Sequence, residues 1–337
     1  MFACRTLINS PISEEVDWIL LDTTADSNIP GPVYIRAWKA TKRVFVFCYL
    51  LLTKKVDSIL IFCGDGLSFV EKGLMAMIGK SIGKKVIIAP RSGFIERDVR
   101  DSAFMRRYIP FVLTHVDYVI CQGPKWKTFF NEKCKVPEQQ LTVIQNWVDA
   151  ENYSGGPGHN KVPVILFMAW VDRNKGIFDL LKACITLSDQ GKNFTFFIAG
   201  KGTALHEVEK LLLAHPRLNE RTQLLGWMKG EDKRALLRKS DIFVLPSYYE
   251  GFPNSLLEAM ASGLACVSSN VGSVQDLIED SINGLMFPAG DIEKLTEQLS
   301  MLIDNQNIRV DLGHNAIDSV RKNNNLATSW KKILELL

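Results

Sequence analysis

Short apolar runs rich in β-branched residues alternate with longer stretches of helical periodicity along most of the chain. In the first half we predict strands over residues 16–24, 58–63, 85–90, 118–122 and 141–146. Helix-length segments lie between them, as at 36–53, 68–82 and 99–115. This alternation is typical of a parallel sheet covered by helices on both faces, and it predicts an α/β fold.

A glycine-rich polar break, ENYSGGPGHNK (151–161), divides the pattern, which then restarts. Further strands are predicted over 163–170, 194–200, 222–227, 241–247, 265–269 and 284–288. The predicted helices cover residues 176–190, 204–215, 231–239, 254–262, 273–279 and 291–303. We predict an N-terminal domain (1–153), a linker (154–162), a C-terminal domain (163–305) and terminal helices (306–337) that pack back on the first domain. Two doubly wound domains would hold a ligand in a cleft at the carboxyl ends of their strands.

The composition narrows the class of protein. Of 337 residues, 47% are hydrophobic and 23% are charged, as in a soluble globular protein. The seven cysteines are scattered and the five histidines are isolated, which indicates reduced thiols and predicts no metal site. The longest apolar run, residues 44–52, is too short to span a membrane, and the first residues do not resemble a signal peptide. We therefore expect a cytoplasmic protein.

The charge is uneven. Residues 42–107 contain 13 Lys and Arg against 6 Asp and Glu, whereas the whole chain has a net charge of only +3. The excess has two interpretations, a solvated face or a surface that contacts anionic lipid or accepts an anionic, lipid-linked substrate. Nucleic acid is a weaker candidate partner because no aromatic-basic RNA motif accompanies the charge.

Two carboxylates flank a helix entrance in the sequence SYYEGFPNSLLEAMASG (247–263). Glu258 could simply complete a capping box with Ser255, but no capping role is evident for Glu250. Alternatively, the N-terminus of the helix could hold a diphosphate while the two carboxylates accept hydrogen bonds from ribose and sugar hydroxyls. That second arrangement would suit a nucleotide-sugar.

A second cluster follows the first strand of the C-terminal domain. Arg173 and Lys175 lie in its loop, where two cations could neutralise a diphosphate leaving group or could simply be solvated. The single Gly-x-Gly at Gly200 is weak evidence for NAD, and we prefer a tight turn that lines the cleft. Gly272 could similarly bring backbone close to a ligand or serve only as a turn residue.

The motifs in this order resemble the nucleotide-binding half of retaining GT-B glycosyltransferases of family 4. The resemblance covers about residues 163–300 and includes Lys175–Gly176, IAGKG, LGW, the two glutamates with Gly-Phe-Pro between them, and VGSVQDLIEDSINGLMF. It implies that Lys175 contacts the donor diphosphate, Glu258 the ribose and Glu250 the transferred sugar. It also implies that the donor is surrounded by Gly251, Phe252, Pro253, Asn254 and Ser255.

The chain departs from the family pattern at several positions. Ala169–Trp170 stands where the family usually has Gly-Arg, so we expect Arg173 to replace the usual arginine. Asp276 stands where a glutamate is usual, and Arg91 and Ser92 replace a histidine stretch on the acceptor side. The chain begins with MFACRTLINS, which resembles the first helix of the family, so the first strand and its glycine-rich loop are expected to be missing.

The resemblance implies transfer of a hexose from a UDP- or GDP-sugar, with retention and without a cofactor or metal. The acceptor would be a glycan or lipid-linked intermediate of surface polysaccharide assembly, reached at the inner face of the plasma membrane. Two alternatives stay open from the sequence. One is a nucleotide-sugar-binding protein without activity, and the other, suggested only by the layout and the Gly-x-Gly, is an NAD-dependent oxidoreductase.

Overall fold

The chain forms two compact units. A computed structural model describes residues 2–23, 32–153 and 160–337. The first unit contains the residues up to Asn146 together with Leu326–Leu337, and the second contains Trp147–Asn325. The first unit thus ends before residue 153, and only the last of the terminal helices belongs to it. Most of the predicted linker lies outside the described residues, but Asn160 hydrogen bonds through its side chain to Asp241 at 2.8 Å within the second unit.

The first unit is built around a four-stranded parallel sheet in the order β1-β2-β3-β4. Its strands are β1 (Ser58–Cys63), β2 (Lys85–Pro90), β3 (Tyr118–Cys121) and β4 (Leu141–Val143). Its helices are α1 (Phe2–Ile8), α2 (Ile12–Glu15), α3 (Val33–Thr53), α4 (Gly66–Ser81), α5 (Ile95–Asp101), α6 (Ala103–His115) and α7 (Pro124–Glu132). Helix α4 packs against β1 and β2 and lies next to both α3 and α6.

One predicted strand of this unit is wrong. Residues 16–23 have no regular secondary structure, and Thr24 lies outside the described residues. Ile19 and Leu20 are 43% and 60% exposed, so this apolar run is not packed in the core. An apolar sequence forms a strand only when a sheet edge receives its backbone hydrogen bonds, and β1 pairs only with β2 among the described strands.

The second unit contains the six predicted strands in one parallel sheet, in the order β10-β9-β8-β5-β6-β7. They are β5 (Val164–Met168), β6 (Thr195–Ala199), β7 (Thr222–Gly226), β8 (Ile242–Leu245), β9 (Ala265–Ser269) and β10 (Leu285–Phe287). Strands β5, β8 and β9 are buried along their whole lengths, as expected for a sheet covered on both faces. The α/β class predicted from the sequence is therefore confirmed.

Helices connect and cover these strands. They are α8 (Ile177–Asp189), α9 (Leu205–Ala214), α10 (Pro216–Asn219), α11 (Gly230–Arg238), α12 (Asn254–Ala261), α13 (Ile292–Asp304) and α14 (Gln306–Asn323), whereas α15 (Leu326–Leu334) belongs to the first unit. Helix α14 packs on α12 and β9, whereas α15 packs on α1 and α2 of the first unit. The helix predicted over 273–279 is instead a 3-10 helix, Gly272–Asp276. None of the helices described in the structure is both long enough and apolar enough to cross a membrane.

Candidate functional site

The second unit has a point where the strand order reverses. Strands β5 and β8 are neighbours, but the chain continues from β5 outward to β6 and from β8 outward to β9 in the opposite direction. In open parallel sheets, ligands bind outside the carboxyl ends of the two strands at such a switch point. The loops that follow β5 and β8 contact each other there, since the backbone N–H of Tyr248 donates to the carbonyl oxygen of Asn174 at 2.8 Å.

Lys175 and Glu250 meet at this point. Lys175 Nζ lies 2.6 Å from Glu250 Oε1, and Ser247 Oγ donates to the same oxygen at 2.7 Å. The Glu250 side chain is only 9% exposed and that of Lys175 is 23% exposed. Within the described part of the chain nothing donates to Oε2, so one oxygen of Glu250 is held in position while the other can accept a hydrogen bond from a ligand.

Glu258 is held in a similar way. Its Oε1 accepts hydrogen bonds from Lys233 Nζ at 2.5 Å and from the Tyr153 hydroxyl at 3.0 Å, and its side chain is 4% exposed. Burial, and then the neighbouring Glu258 carboxylate, raise the pKa of Tyr153, so the phenol stays protonated as a donor. Glu258 therefore has a fixed orientation on the first turns of α12.

The capping-box alternative for Glu258 is wrong. Helix α12 begins at Asn254 and is preceded by Pro253, whose side chain has no oxygen to cap it, so Ser255 lies inside the helix. In a capping box the glutamate is the third residue of the helix, whereas Glu258 is the fifth residue of α12. Its carboxylate turns instead to Lys233 and Tyr153.

The start of α12 provides a positive end next to the two carboxylates. Gly251, Phe252 and Pro253 are buried before the helix, and Asn254 and Ser255 are half-buried in its first turn. The first turn contains no acidic residue to neutralise the helix dipole. Together with the Lys175 ammonium, this end of the helix favours an anionic group such as a phosphate.

Gly272 fixes the loop that carries Glu250. Its φ is +55°, and a Cβ at this position would lie 1.9 Å from the carbonyl oxygen of Glu250. The next residue, Ser273, donates its backbone N–H to the Gly251 carbonyl at 3.1 Å. Gly200 is needed for a similar reason, because a Cβ added at this position would lie 2.0 Å from the Ala169 carbonyl oxygen. Both glycines therefore allow close backbone contacts among the loops at this edge.

Arg173 points away from Lys175. Its guanidinium pairs with Glu207 and stacks over the Phe178 ring, 4.6 Å from the centroid, and its side chain is 70% exposed. It lines an open groove of about 370 Å³ together with Phe178, Lys182 and Tyr248. Lys175, Glu250 and Glu258 do not line that groove. In this conformation the structure does not bring Arg173 and Lys175 together.

The two acceptor-side candidates lie in the first unit. Arg91 follows β2 and hydrogen bonds to Asn146, while its guanidinium packs over the Phe62 ring at 5.0 Å. Burial lowers the pKa of Arg91 to about 10, so it is still charged at neutral pH. Ser92 donates to Asp65 Oδ1 at 2.6 Å. Their role in binding an acceptor stays a prediction.

Sequence reasoning missed three residues of the site, namely Ser247, Lys233 and Tyr153. Ser247 could have been found, since it ends the same strand-to-loop segment that carries Glu250. Lys233 lies on α11, between β7 and β8, and no spacing links it to Glu258. Tyr153 borders the glycine-rich break, and the sequence pattern places it in the N-terminal domain, whereas the structure places it in the second unit. Only the packing of the chain brings these donors to the carboxylates.

Comparison with known proteins assigns the chain to a family. The family model of glycosyl transferases group 1 matches residues 149–319. The chain is 25% identical over 233 residues to the UDP-Gal:alpha-D-GlcNAc-diphosphoundecaprenol alpha-1,3-galactosyltransferase of Escherichia coli, covering 65% of this chain and 59% of that protein. It is 27% identical over 259 residues to the GalNAc-alpha-(1->4)-GalNAc-alpha-(1->3)-diNAcBac-PP-undecaprenol alpha-1,4-N-acetyl-D-galactosaminyltransferase of Campylobacter jejuni, covering 74% of this chain and 68% of that protein.

Solved structures share the fold. The sucrose-phosphate synthase of Thermosynechococcus elongatus superposes with a TM-score of 0.78 at 18% identity, over 91% of this chain and 79% of that one. The Anabaena protein HepE, in complex with UDP-glucose, superposes with a TM-score of 0.73 at 19% identity, over 90% and 83% of the two chains. The predicted GT-B class is confirmed. Since the family model covers half of its length, this chain belongs to the glycosyl transferases group 1 family.

Proposed function

We propose that the chain is a retaining glycosyltransferase that moves a hexose from a nucleoside diphosphate sugar to a glycan or lipid-linked acceptor. The observation that carries the proposal is the meeting of Lys175 and Glu250 at the strand switch point, at 2.6 Å. Residues from the loops after two neighbouring strands converge there beside the N-terminus of α12. Family membership supports the same class of reaction.

The donor is proposed to bind along this edge. Lys175 and the first turn of α12 would hold the diphosphate, because both present positive charge. Oε2 of Glu258 would accept from the ribose hydroxyls, and Oε2 of Glu250 from the transferred sugar. Buried carboxylates that are already oriented by lysines lose little further entropy when they receive these hydroxyls.

We favour uracil as the base of the donor nucleotide. The E. coli relative is named for UDP-Gal, and HepE was solved with UDP-glucose. GDP is the alternative. The acceptor is proposed to be a lipid-linked diphosphate, as the names of both bacterial relatives indicate for those proteins. Arg91 and Ser92 are the proposed acceptor-side contacts, and Arg173 is proposed to turn toward the donor diphosphate when that group is bound.

The proposed step breaks the bond between the anomeric carbon and the diphosphate oxygen. The electron pair of that bond leaves with the diphosphate. An acceptor hydroxyl attacks from the same face, and its proton passes to the departing phosphate oxygen. Lys175 and the helix end stabilise the charge that grows on the leaving group, which is the transition-state contribution of this site. We propose that these groups make a metal unnecessary, so EDTA is expected to leave the rate unchanged.

Calorimetric titration of the purified chain with UDP-, GDP- and ADP-glucose tests the donor site. We expect the chain to bind one of the three sugar nucleotides, and we expect the Glu258→Gln variant not to bind it. Glu297→Gln is the matched control, because it also removes a Lys–Glu pair of the second unit, but one that lies on the exposed side of α13. Binding that survives Glu258→Gln would contradict the proposed site.

Transfer itself needs a second assay. Incubation with the bound sugar nucleotide and a synthetic lipid-linked diphosphate sugar is expected to give a product with the donor's anomeric configuration, read by proton NMR. Donor binding without either transfer or hydrolysis would favour the nucleotide-sugar-binding alternative. An inverted product would contradict retention.

A further inference from the structure

Helix α3 of the first unit has an unusual apolar surface. Its exposed large apolar side chains are Tyr34, Ile35, Trp38, Phe45, Val46, Tyr49 and Leu52. Trp38, Phe45 and Leu52 are 71%, 72% and 84% exposed, so they are almost fully in contact with solvent. A contiguous apolar patch of this kind on a soluble domain generally marks a surface that binds something.

The exposed side chains lie along one side of the helix. Tyr34, Trp38, Phe45, Tyr49 and Leu52 are separated by four, seven, four and three residues. At about 100° per residue these positions fall within about 60° of one another. Phe47, on the opposite side, is 8% exposed and belongs to the core of the first unit. Helix α3 is thus apolar on the face that packs and also on the face that does not.

The neighbouring helices also expose apolar side chains. Helix α4 packs against both α3 and α6. Leu67 and Leu74 on α4 are 56% and 47% exposed, and Phe104 and Phe111 on α6 are 59% and 48% exposed. Each pair is separated by seven residues and therefore lies on one side of its helix. We call the exposed apolar residues of α3, α4 and α6 the apolar face.

The charges on these helices are basic. Helix α3 contains Arg36, Lys39, Lys42 and Arg43 and no acidic residue. Arg43 pairs with the buried Glu71 at 2.6 Å, whereas Lys39 and Lys42, the two cations of α3 nearest to its exposed apolar side, are exposed, as is Arg107 on α6. Exposed aromatic residues beside Lys and Arg are the composition of helices that lie in the interface of an anionic bilayer.

We propose that the apolar face docks on an anionic membrane, with the side chains of α3 inserted at the level of the lipid headgroups. The inference rests on the proposed function, because a lipid-linked acceptor is held in that same bilayer. The basic charge also decides against a second copy of the chain as the occupant. A second copy would present no acidic residue of α3 to the cations of this helix, whereas anionic headgroups complement them.

Co-sedimentation of the full chain with vesicles tests the proposal. We expect binding to vesicles of phosphatidylcholine and phosphatidylglycerol at 50 mM NaCl, and much weaker binding to pure phosphatidylcholine or at 500 mM NaCl. The double variant Trp38→Ser/Phe45→Ser is expected to lower the partition coefficient at least about tenfold, because it removes two inserted side chains. Lys39→Glu/Lys42→Glu is expected to lower it on the anionic vesicles by a similar factor.

A matched pair of leucines provides the control. Leu52 and Leu213 are both exposed and both lie next to the end of a helix, but Leu213 is on α9 of the second unit. Leu52→Ser should weaken vesicle binding, and Leu213→Ser should not. Equal effects of the two substitutions would overturn the proposal, and so would a dimer in light scattering that Phe45→Ser dissociates.

Donor binding separates this proposal from the proposed function. UDP-glucose titration of Trp38→Ser/Phe45→Ser is expected to match the unsubstituted chain, which also shows that the variant is folded. If this variant still binds both vesicles and UDP-glucose, the docking surface is overturned and the proposed function is not. A chain that binds vesicles through the apolar face but binds no sugar nucleotide would overturn the proposed function and leave the docking surface supported.

Discussion

The two units have the same α/β layering but distribute their chemistry differently. The second unit has a strand switch between β5 and β8, and its polar side chains converge at the carboxyl ends of those strands. The strands described in the first unit run in simple chain order, which provides no switch point among them. The first unit instead exposes an apolar, basic helix surface. Topology therefore explains why the candidate chemistry lies in the second unit.

Buried ion pairs occur in both units and do not by themselves mark a site. In the first unit Glu71 pairs with Arg43 at 2.6 Å and with Lys72 at 3.2 Å. Burial alone would raise the pKa of Glu71, but the hydrogen bonds from Arg43 and Lys72 lower it below its ordinary value. This cluster lies in the middle of α4, away from the strand ends. Position at the switch point, rather than pairing, distinguishes Lys175 and Glu250.

The largest expected effect tests that distinction directly. Lys175→Met removes the cation proposed to stabilise the departing diphosphate, and kcat for transfer is expected to fall about 10²- to 10³-fold. The measurement is steady-state kinetics with the sugar nucleotide and acceptor. Arg43→Met is the matched control, because it removes the cation of a buried pair in the first unit. It should lower the melting temperature and leave kcat within about twofold. A comparable loss of kcat in both variants would show that position at the switch point does not distinguish Lys175 from the cation of another buried pair.

The next prediction concerns Lys233. Lys233→Met leaves the Glu258 carboxylate, 4% exposed, without its cation, and we expect the free energy of unfolding to fall by about 3 kcal/mol. The donor KM should rise more than kcat falls, because Lys233 positions Glu258 rather than touching the reacting atoms. Urea denaturation and kinetics measure the two effects.

A double variant makes this prediction sharper. Lys233→Met/Glu258→Gln removes both charges, so most of the lost stability should return while donor binding stays weak. If the double variant is no more stable than Lys233→Met, the lost stability does not come from an unpaired carboxylate. The role assigned to Lys233 would then be wrong.

Gly272 offers a smaller effect on the same loop. Gly272→Ala places a Cβ 1.9 Å from the Glu250 carbonyl, in addition to the strain of a φ of +55°. Gly66→Ala in the first unit is the control, since Gly66 has a φ of +53° with no atom within 4 Å of a Cβ. We expect Gly272→Ala to lose about 2 kcal/mol more stability than Gly66→Ala in urea denaturation, and to lose donor binding as well. Equal losses would mean that the loop shifts freely.

The sequence predicts the parts of the molecule that depend on local pattern. The six strands of the second unit are found because each is an apolar run bounded by turn residues, and Lys175 and Glu250 are found because they lie in the loops after two of them. The predicted strand over 16–24 is wrong because an apolar run carries no information on whether a partner edge is present. The spacing of Arg173 and Lys175 likewise does not show that their side chains diverge.

The partners of Glu258 could not be predicted for a different reason. A Ser-x-x-Glu spacing suits a capping box with Ser255 as the N-cap, but the helix begins at Asn254, two residues earlier than that box requires, and the carboxylate then meets groups far away in the chain. Lys233 reaches it because α11 returns the chain across the sheet from β7 to β8. That contact is a consequence of packing and has no counterpart in the linear pattern.

The smallest effect is expected from Tyr153. Tyr153→Phe deletes one of the two donors to Glu258 Oε1, and because Lys233 remains, the free energy of unfolding should fall by only about 1 kcal/mol. Burial and then Glu258 raise the pKa of Tyr153 in the folded chain, so its hydrogen bond is fully present below the ordinary tyrosine pKa of about 10 and is lost only as the pH rises beyond it. The difference between Tyr153→Phe and the unsubstituted chain should therefore be the same at pH 7 and pH 9 in urea denaturation. A difference that disappears by pH 9 would show that the phenol ionises within this range and that Glu258 is not oriented as described.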